Sequence, residues 1–142
     1  WCSEMRETYM GEEEKVLFAN DRFYAAFAGN DFEAMDRLWG PKGVTCIHPG
    51  WQALHGRDEV MASWEAILGE GGAPDVKCRV PRVTIHGEIA IVICFEELGS
   101  VYLSATNVFT RNGNEWCIIH HHAGPVNVDL EELPKEPDVA FN

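Results

Sequence analysis

Three consecutive histidines, His120, His121 and His122, end an apolar run that starts at Trp116 and closes on Ala123-Gly124-Pro125. In an extended strand, alternate side chains leave on opposite faces. His120 and His122 therefore share one face and His121 takes the other. Upstream, Glu96-Glu97 closes a second apolar run, and Asn107 interrupts a third. A carboxyl group in apolar surroundings has a raised pKa, and one beside an imidazolium a lowered pKa, so a Glu/His pair is a candidate acid/base couple. His120, His122 and Glu96 are the catalytic candidates. Two same-face histidines could instead ligate Zn²⁺ with His48 as a third ligand, or serve as hydrogen-bonded pocket or interface residues. No Cys or carboxylate spacing supports the metal, and neither a metal nor a cofactor is expected.

These residues need strands of fixed register. Asn112-Gly113 is the strongest hairpin signal in the chain, a type I′ turn candidate. A two-residue loop there pairs Arg111 with Asn114, Phe109 with Trp116, Asn107 with Ile118, Ala105 with His120 and Leu103 with His122. One face then holds Leu103, Ala105, Asn107, Phe109, Trp116, Ile118, His120 and His122. It carries the larger hydrophobes and is assigned to the helix-covered, concave side. Extending the register through Gly99-Ser100 sets Glu96 opposite Leu103 on that same side, although one bulge would exchange Glu96 for Glu97. The spacing predicts strands over Val44–His48, Val76–His86, Ile89–Leu98, Val101–Thr110 and Glu115–His122, with Pro81 marking an edge or bulge.

Helices precede the strands. Glu12–Ala28 has helical apolar spacing at Val16, Phe23 and Phe27, with Tyr24 beside them, and three glutamates at its N-terminus. Gly29 stops it, and Asn30 with Glu33 forms a capping-box spacing for a helix that carries Trp39. A third helix over Asp58–Leu68 carries Trp64. Between strand and helix, Trp51 reads as a lid or as core. Arg57 reads as the partner of an acid, Asp36, Asp58 or a pocket carboxylate, or of an anionic ligand. Helices first and an antiparallel meander last make an α+β fold, with three helices packed in a strongly curved sheet.

Composition narrows the function. The 142 residues amount to one domain, 46% hydrophobic and 24% charged. A net charge of −12 disfavours nucleic acid and anionic membranes as partners. No apolar run approaches transmembrane length. The two ends, 1–15 and 126–142, carry −7 of the −12, and read as solubilising tails or as docking segments for a basic partner. Five cysteines without a CxxC pair read as small buried hydrophobes of a reducing, intracellular compartment. The chain opens on Trp1 with no signal peptide, so its native start is expected to be missing.

The order NDFEAMDRLW, CIHPGW, GRDEVMASW, LSATNVFTRNGNEW and HHHAGP resembles the nuclear transport factor 2-like superfamily. More narrowly, it is similar to the SnoaL-like branch and to the calcium/calmodulin-dependent protein kinase II association domain. The resemblance spans 12–126, between an N-terminal extension at 1–11 and an acidic tail at 127–142. It implies a cone-like fold, an internal pocket and dimerisation through the sheet's outer face. The kinase association domain lines its pocket with arginines where this chain has Glu97 and Asn107, while His120 and His122 match its H-x-H strand end. Ketosteroid-isomerase-like and scytalone-dehydratase-like members use Asp, Tyr or His sets that Tyr24, Glu96, His48 and His120 could imitate. The iota-type carbonic anhydrases share the HHH end but follow it with two serines, where Ala123-Gly124 stand here.

The expected pocket comprises Tyr24, Trp39, His48, Trp51, Arg57 and Trp64 from the first half of the chain. Glu96, Asn107, Phe109, His120 and His122 come from the second. The favoured reading is a homodimer that binds a small, mostly apolar molecule in the cone or assembles with a protein partner, without catalysis. The alternative is a metal-free lyase or isomerase working by Glu/His chemistry, with CO2 hydration as a sub-case. The outer face supplies the dimer argument: Val108, Cys117, Ile119 and some of Ile91, Ile93 and Phe95 would be an uncovered apolar patch on a monomer.

Overall fold

A computed structural model describes residues 11–69 and 71–129. The extension at 1–10 and the tail beyond 129, with Cys2, lie outside the described residues.

Helix α1 is Glu12–Ala28. Its three N-terminal glutamates face the positive end of the helix dipole. Its inner side buries Val16, Ala19, Asn20, Phe23, Tyr24, Ala26 and Phe27. Gly29 ends it by donating to Ala25 O at 2.9 Å, and any Cβ there would sit 2.9 Å from that same oxygen. The cap of α2 (Phe32–Leu38) is Asp31, whose side chain accepts from Ala34 N at 3.1 Å. Asn30, the expected cap, instead takes the left-handed turn (φ 55°) and accepts from Ala73 N at 3.0 Å. Helix α3 (Arg57–Leu68) starts at Arg57. That guanidinium donates to Trp39 O, Gly40 O and Asp36 O, and pairs with Asp36 Oδ1 at 2.6 Å. Arg57 therefore fastens the end of α2 to the start of α3.

The strands are β1 (Thr45–Ile47), β2 (Leu54–His55), β3 (Lys77–His86), β4 (Ile89–Leu98), β5 (Val101–Asn112) and β6 (Glu115–Pro125). They form one sheet in the order β2-β1-β6-β5-β4-β3. The meander β3 to β6 is antiparallel, but β1 runs parallel to β6, so the sheet is mixed at that end. Strand β3 bulges between Arg79 and Arg82, where Val80 has φ 52° ahead of Pro81.

A second bulge decides where the histidines go. The β5–β6 loop is Gly113-Asn114, with Asn112 opposite Glu115 and a positive φ on the glycine. This moves the expected Asn112-Gly113 turn by one residue but keeps the faces, because Phe109 still meets a core residue, Ile118. Between Val108 and Phe109 the register then slips, and Ile119 is the extra residue of β6. One inserted residue reverses every later side chain. His121 therefore pairs with Asn107 on the concave side, while His120 and His122 fall on the outer face.

Curvature wraps the concave side around the helices. Trp64, Phe23, Phe109, Met35, Leu68 and Ile118 are fully buried there, each burial contributing about 1.5–3 kcal/mol before entropy is charged against it. Among the described residues no helix is long and apolar enough to cross a membrane.

Candidate functional site

The polar groups around Glu96 inside the cone come from four elements. Tyr24 and Asn20 lie one turn apart on α1, which brings both to the buried side. Cys94 and Glu96 alternate inward on β4, Asn107 on β5, and His121 on β6 beyond the bulge. Glu96 is 2% exposed, His121 1% and Asn107 fully buried.

One continuous network joins them. The Tyr24 hydroxyl donates to Glu96 Oε2 at 2.7 Å and lies 3.3 Å from Cys94 Sγ. Asn107 Nδ2 donates to the Tyr24 oxygen at 3.1 Å and to Asn20 Oδ1 at 2.9 Å. The amide oxygen of Asn107 is then left facing His121 Nδ1 at 2.6 Å. Only an N–H can fill that contact, so His121 carries its proton on Nδ1. Its other nitrogen, Nε2, holds a lone pair 3.7 Å from Glu96 Oε2.

The electrostatics follow from burial. Desolvation pushes Glu96 up to about 7, against the lowering effect of the Tyr24 hydrogen bond. Desolvation also holds His121 well below the ordinary imidazole value, helped by His48, His120 and His122. Below about pH 7 the Glu96–His121 contact is therefore a neutral carboxyl beside a neutral imidazole, rather than an ion pair. Such a couple can pass one proton.

A second arm lies beside the first. His48 Nε2 donates to Ser63 Oγ at 2.8 Å, whose hydroxyl donates to Val60 O at 2.6 Å. Burial lowers His48 to about 4. Trp64 stacks edge-on with His48 at 4.8 Å and tilts against His121 at 5.9 Å. Its indole Nε1 is the one buried side-chain N or O atom among the described residues without a hydrogen-bond partner. Trp39 is buried against Trp64, and Phe109 is buried on the sheet side.

Several expected pocket residues lie elsewhere. His120 and His122 are on the outer face, turned there by the bulge at Ile119. The trio of His120, His122 and His48 is thereby split across the sheet. Arg57 is spent on Asp36 and three carbonyls outside the cone. Trp51 is 47% exposed, with its ring 4.9 Å from His48. Glu97 faces away from Glu96, bound to Arg79 at 3.1 Å and to the Tyr102 hydroxyl at 3.0 Å. It lines an open cleft of about 340 Å³ with Pro74, Asp75, Lys77, Leu98 and Gly99.

Sequence reasoning missed Asn20 and His121. Asn20 carried a signal, since it sits four residues before Tyr24 on the apolar side of α1. The four described cysteines are free thiols, Cys46 and Cys94 buried, Cys78 and Cys117 half-buried. Burial pushes Cys46 up to about 12, so it is no nucleophile near neutrality.

Known proteins share this architecture. The F-box protein SKIP8 of Arabidopsis thaliana is 26% identical over 129 residues, covering 88% of this chain and 55% of its own length. The chain thus spans about half the length of that curated relative. A candidate dehydratase of the NTF2-like family from Streptomyces avermitilis is 33% identical, with a TM-score of 0.73, over 81% of this chain and 96% of its own. A candidate calcium/calmodulin-dependent protein kinase type II association domain from Thiobacillus denitrificans is 32% identical, with a TM-score of 0.66, over 77% of this chain and 93% of its own. The SnoaL-like domain model matches residues 16–127. Helices cupped in a curled six-strand sheet, these two relatives and a family match over most of its length together make this chain a member of the SnoaL-like domain family.

Proposed function

We propose that this chain is a self-associating SnoaL-like domain whose cone receives a small, mostly apolar, uncharged molecule. The observation that carries the association is the bare outer face of the sheet. Among the described residues, the three helices all lie on the opposite side. Ile93 is left 47% exposed, beside half-buried Ile91, Phe95 and Val108. An isologous contact between two such faces would remove this patch from water. The similarity to a candidate association domain supports the same reading.

Ile93→Glu is expected to raise the dimer dissociation constant by roughly a hundredfold or more, because a two-fold contact buries the introduced charge twice. Circular dichroism should be unchanged. Sedimentation velocity measures the effect, and a variant that associates as tightly as the native chain would overturn the reading.

Inside the cone, the partnerless indole N–H of Trp64 supports a ligand. A buried donor left unmade costs about 1–3 kcal/mol, which a carbonyl or ether oxygen would recover. Crystals of the purified chain are expected to show density within hydrogen-bond distance of Trp64 Nε1. Side chains filling that space would remove the ligand from the proposal.

A second reading has its own observation. A carboxyl group lifted to about 7 beside an unprotonated imidazole nitrogen is matched for proton transfer near neutrality. The similarity to a candidate dehydratase points the same way. On this reading Glu96 and His121 remove and return a proton during loss of water from a β-hydroxycarbonyl compound. Turnover of a panel of such compounds should then fall roughly a hundredfold or more in Glu96→Gln. Equal rates in the two proteins would exclude it.

A further inference from the structure

The outer face carries two imidazoles that the cone leaves unused. His120 and His122 stand two residues apart on β6, with ring centres 6.3 Å apart. His122 is exposed and His120 half-buried. A tetrahedral cation bound at about 2.0–2.1 Å to one nitrogen of each ring sets the ring centres roughly 5 Å apart, so the exposed His122 ring has to swing toward His120 to close the site.

The surroundings suit such a role. The Thr45 hydroxyl lies 2.6 Å from His120 Nδ1, delivered by the parallel pairing of Thr45 with His120. It fixes that ring and leaves Nε2 available, as the supporting partner of a metal-ligating histidine does. The residues paired beside the two histidines are Thr106 and Val108 on β5 and Thr45 and Ile47 on β1. None of them carries a charge that would prefer protonated imidazoles.

The described residues of one chain offer this pair of imidazoles. Among the described residues no group of three or more His, Cys, Asp or Glu is placed to hold a metal. Zinc in a closed site takes four ligands. Strands β6 and β5 are third and fourth in the six-strand order, so a two-fold axis through the middle of the outer face brings β6 near its own copy.

We propose that His120 and His122 form half of a transition-metal site, chelating a divalent cation of the zinc class, with the same pair from a second copy completing a four-nitrogen shell. This rests on the face-to-face association proposed above. Its test is titration of the full chain, His122→Ala and Ile93→Glu with ZnCl2, followed by calorimetry and sedimentation velocity. The native chain should take up one zinc for every two chains and lower its dimer dissociation constant roughly tenfold or more. Both effects should reverse with EDTA and vanish in His122→Ala, whose exposed side chain can be removed without unfolding. Zinc that leaves the native association unchanged, or acts equally on His122→Ala, overturns the site. Should Ile93→Glu associate like the native chain before any zinc is added, the outer-face reading itself fails, and the shared shell with it. Should Ile93→Glu dissociate as expected while zinc does nothing, the metal site alone is lost.

Discussion

Glu96→Gln is expected to gain stability on the native chain as pH rises from 4.5 to about 7, by about 3 kcal/mol across that interval. Glu96 is buried, and desolvation raises its folded-state pKa from 4.5 to about 7. The folded protein keeps a proton that the unfolded chain releases above 4.5. This group's contribution is therefore complete below 4.5, falls as pH rises toward 7, and is level beyond it. Glutamine has no proton to lose, and its Oε1 can still accept from the Tyr24 hydroxyl. His48 and His121 titrate with the opposite sign. Their folded values are lowered, so their contribution is present above the ordinary imidazole value of 6.5 and is lost as pH falls. Both proteins carry these histidines, so the difference between the two isolates Glu96. Urea unfolding across the interval measures it, and a difference independent of pH would refute the neutral, buried carboxyl.

Among the three histidines, the expected losses are very unequal. His121→Ala should cost about 3 kcal/mol or more, combining a cavity beside Phe23 and Trp64 with a stranded Asn107 oxygen. His122→Ala should stay within about 0.5 kcal/mol, since that ring is exposed. Strict alternation from Trp116 predicts the reverse order. Denaturant unfolding of the two variants therefore tests the bulge at Ile119 directly, and equal costs would argue against it.

The contrast shows how far the sequence can be read. Glycine stops, the glutamates that open α1, the Asn-Gly hairpin region and period-two spacing located the elements to within about three residues, except for the two-residue β2, which they did not mark. They also set Glu96 opposite Leu103, because no bulge intervenes between the Gly99-Ser100 turn and Glu96. They could not locate a single extra residue between two adjacent isoleucines. Ile118 and Ile119 are alike to any hydrophobic pattern, yet Ile118 is fully buried while Ile119 is half-buried at the margin of the core. Parallel docking of β1 was equally hidden, for a three-residue strand carries little periodicity. Asp36 was one of the acids expected to partner Arg57, and the structure chooses it over Asp58, a pocket carboxylate or an anionic ligand.

The two margins of the sheet have a consequence for how the domain meets other molecules. At one, Pro81 supplies no N–H and Val80 breaks the run of extended backbone; at the other, β2 is two residues long. Both margins are thereby blunted against the addition of another strand, which is how fibrils grow. Crowding many copies together therefore steers them toward finite, countable complexes built from side chains, and away from endless backbone ladders.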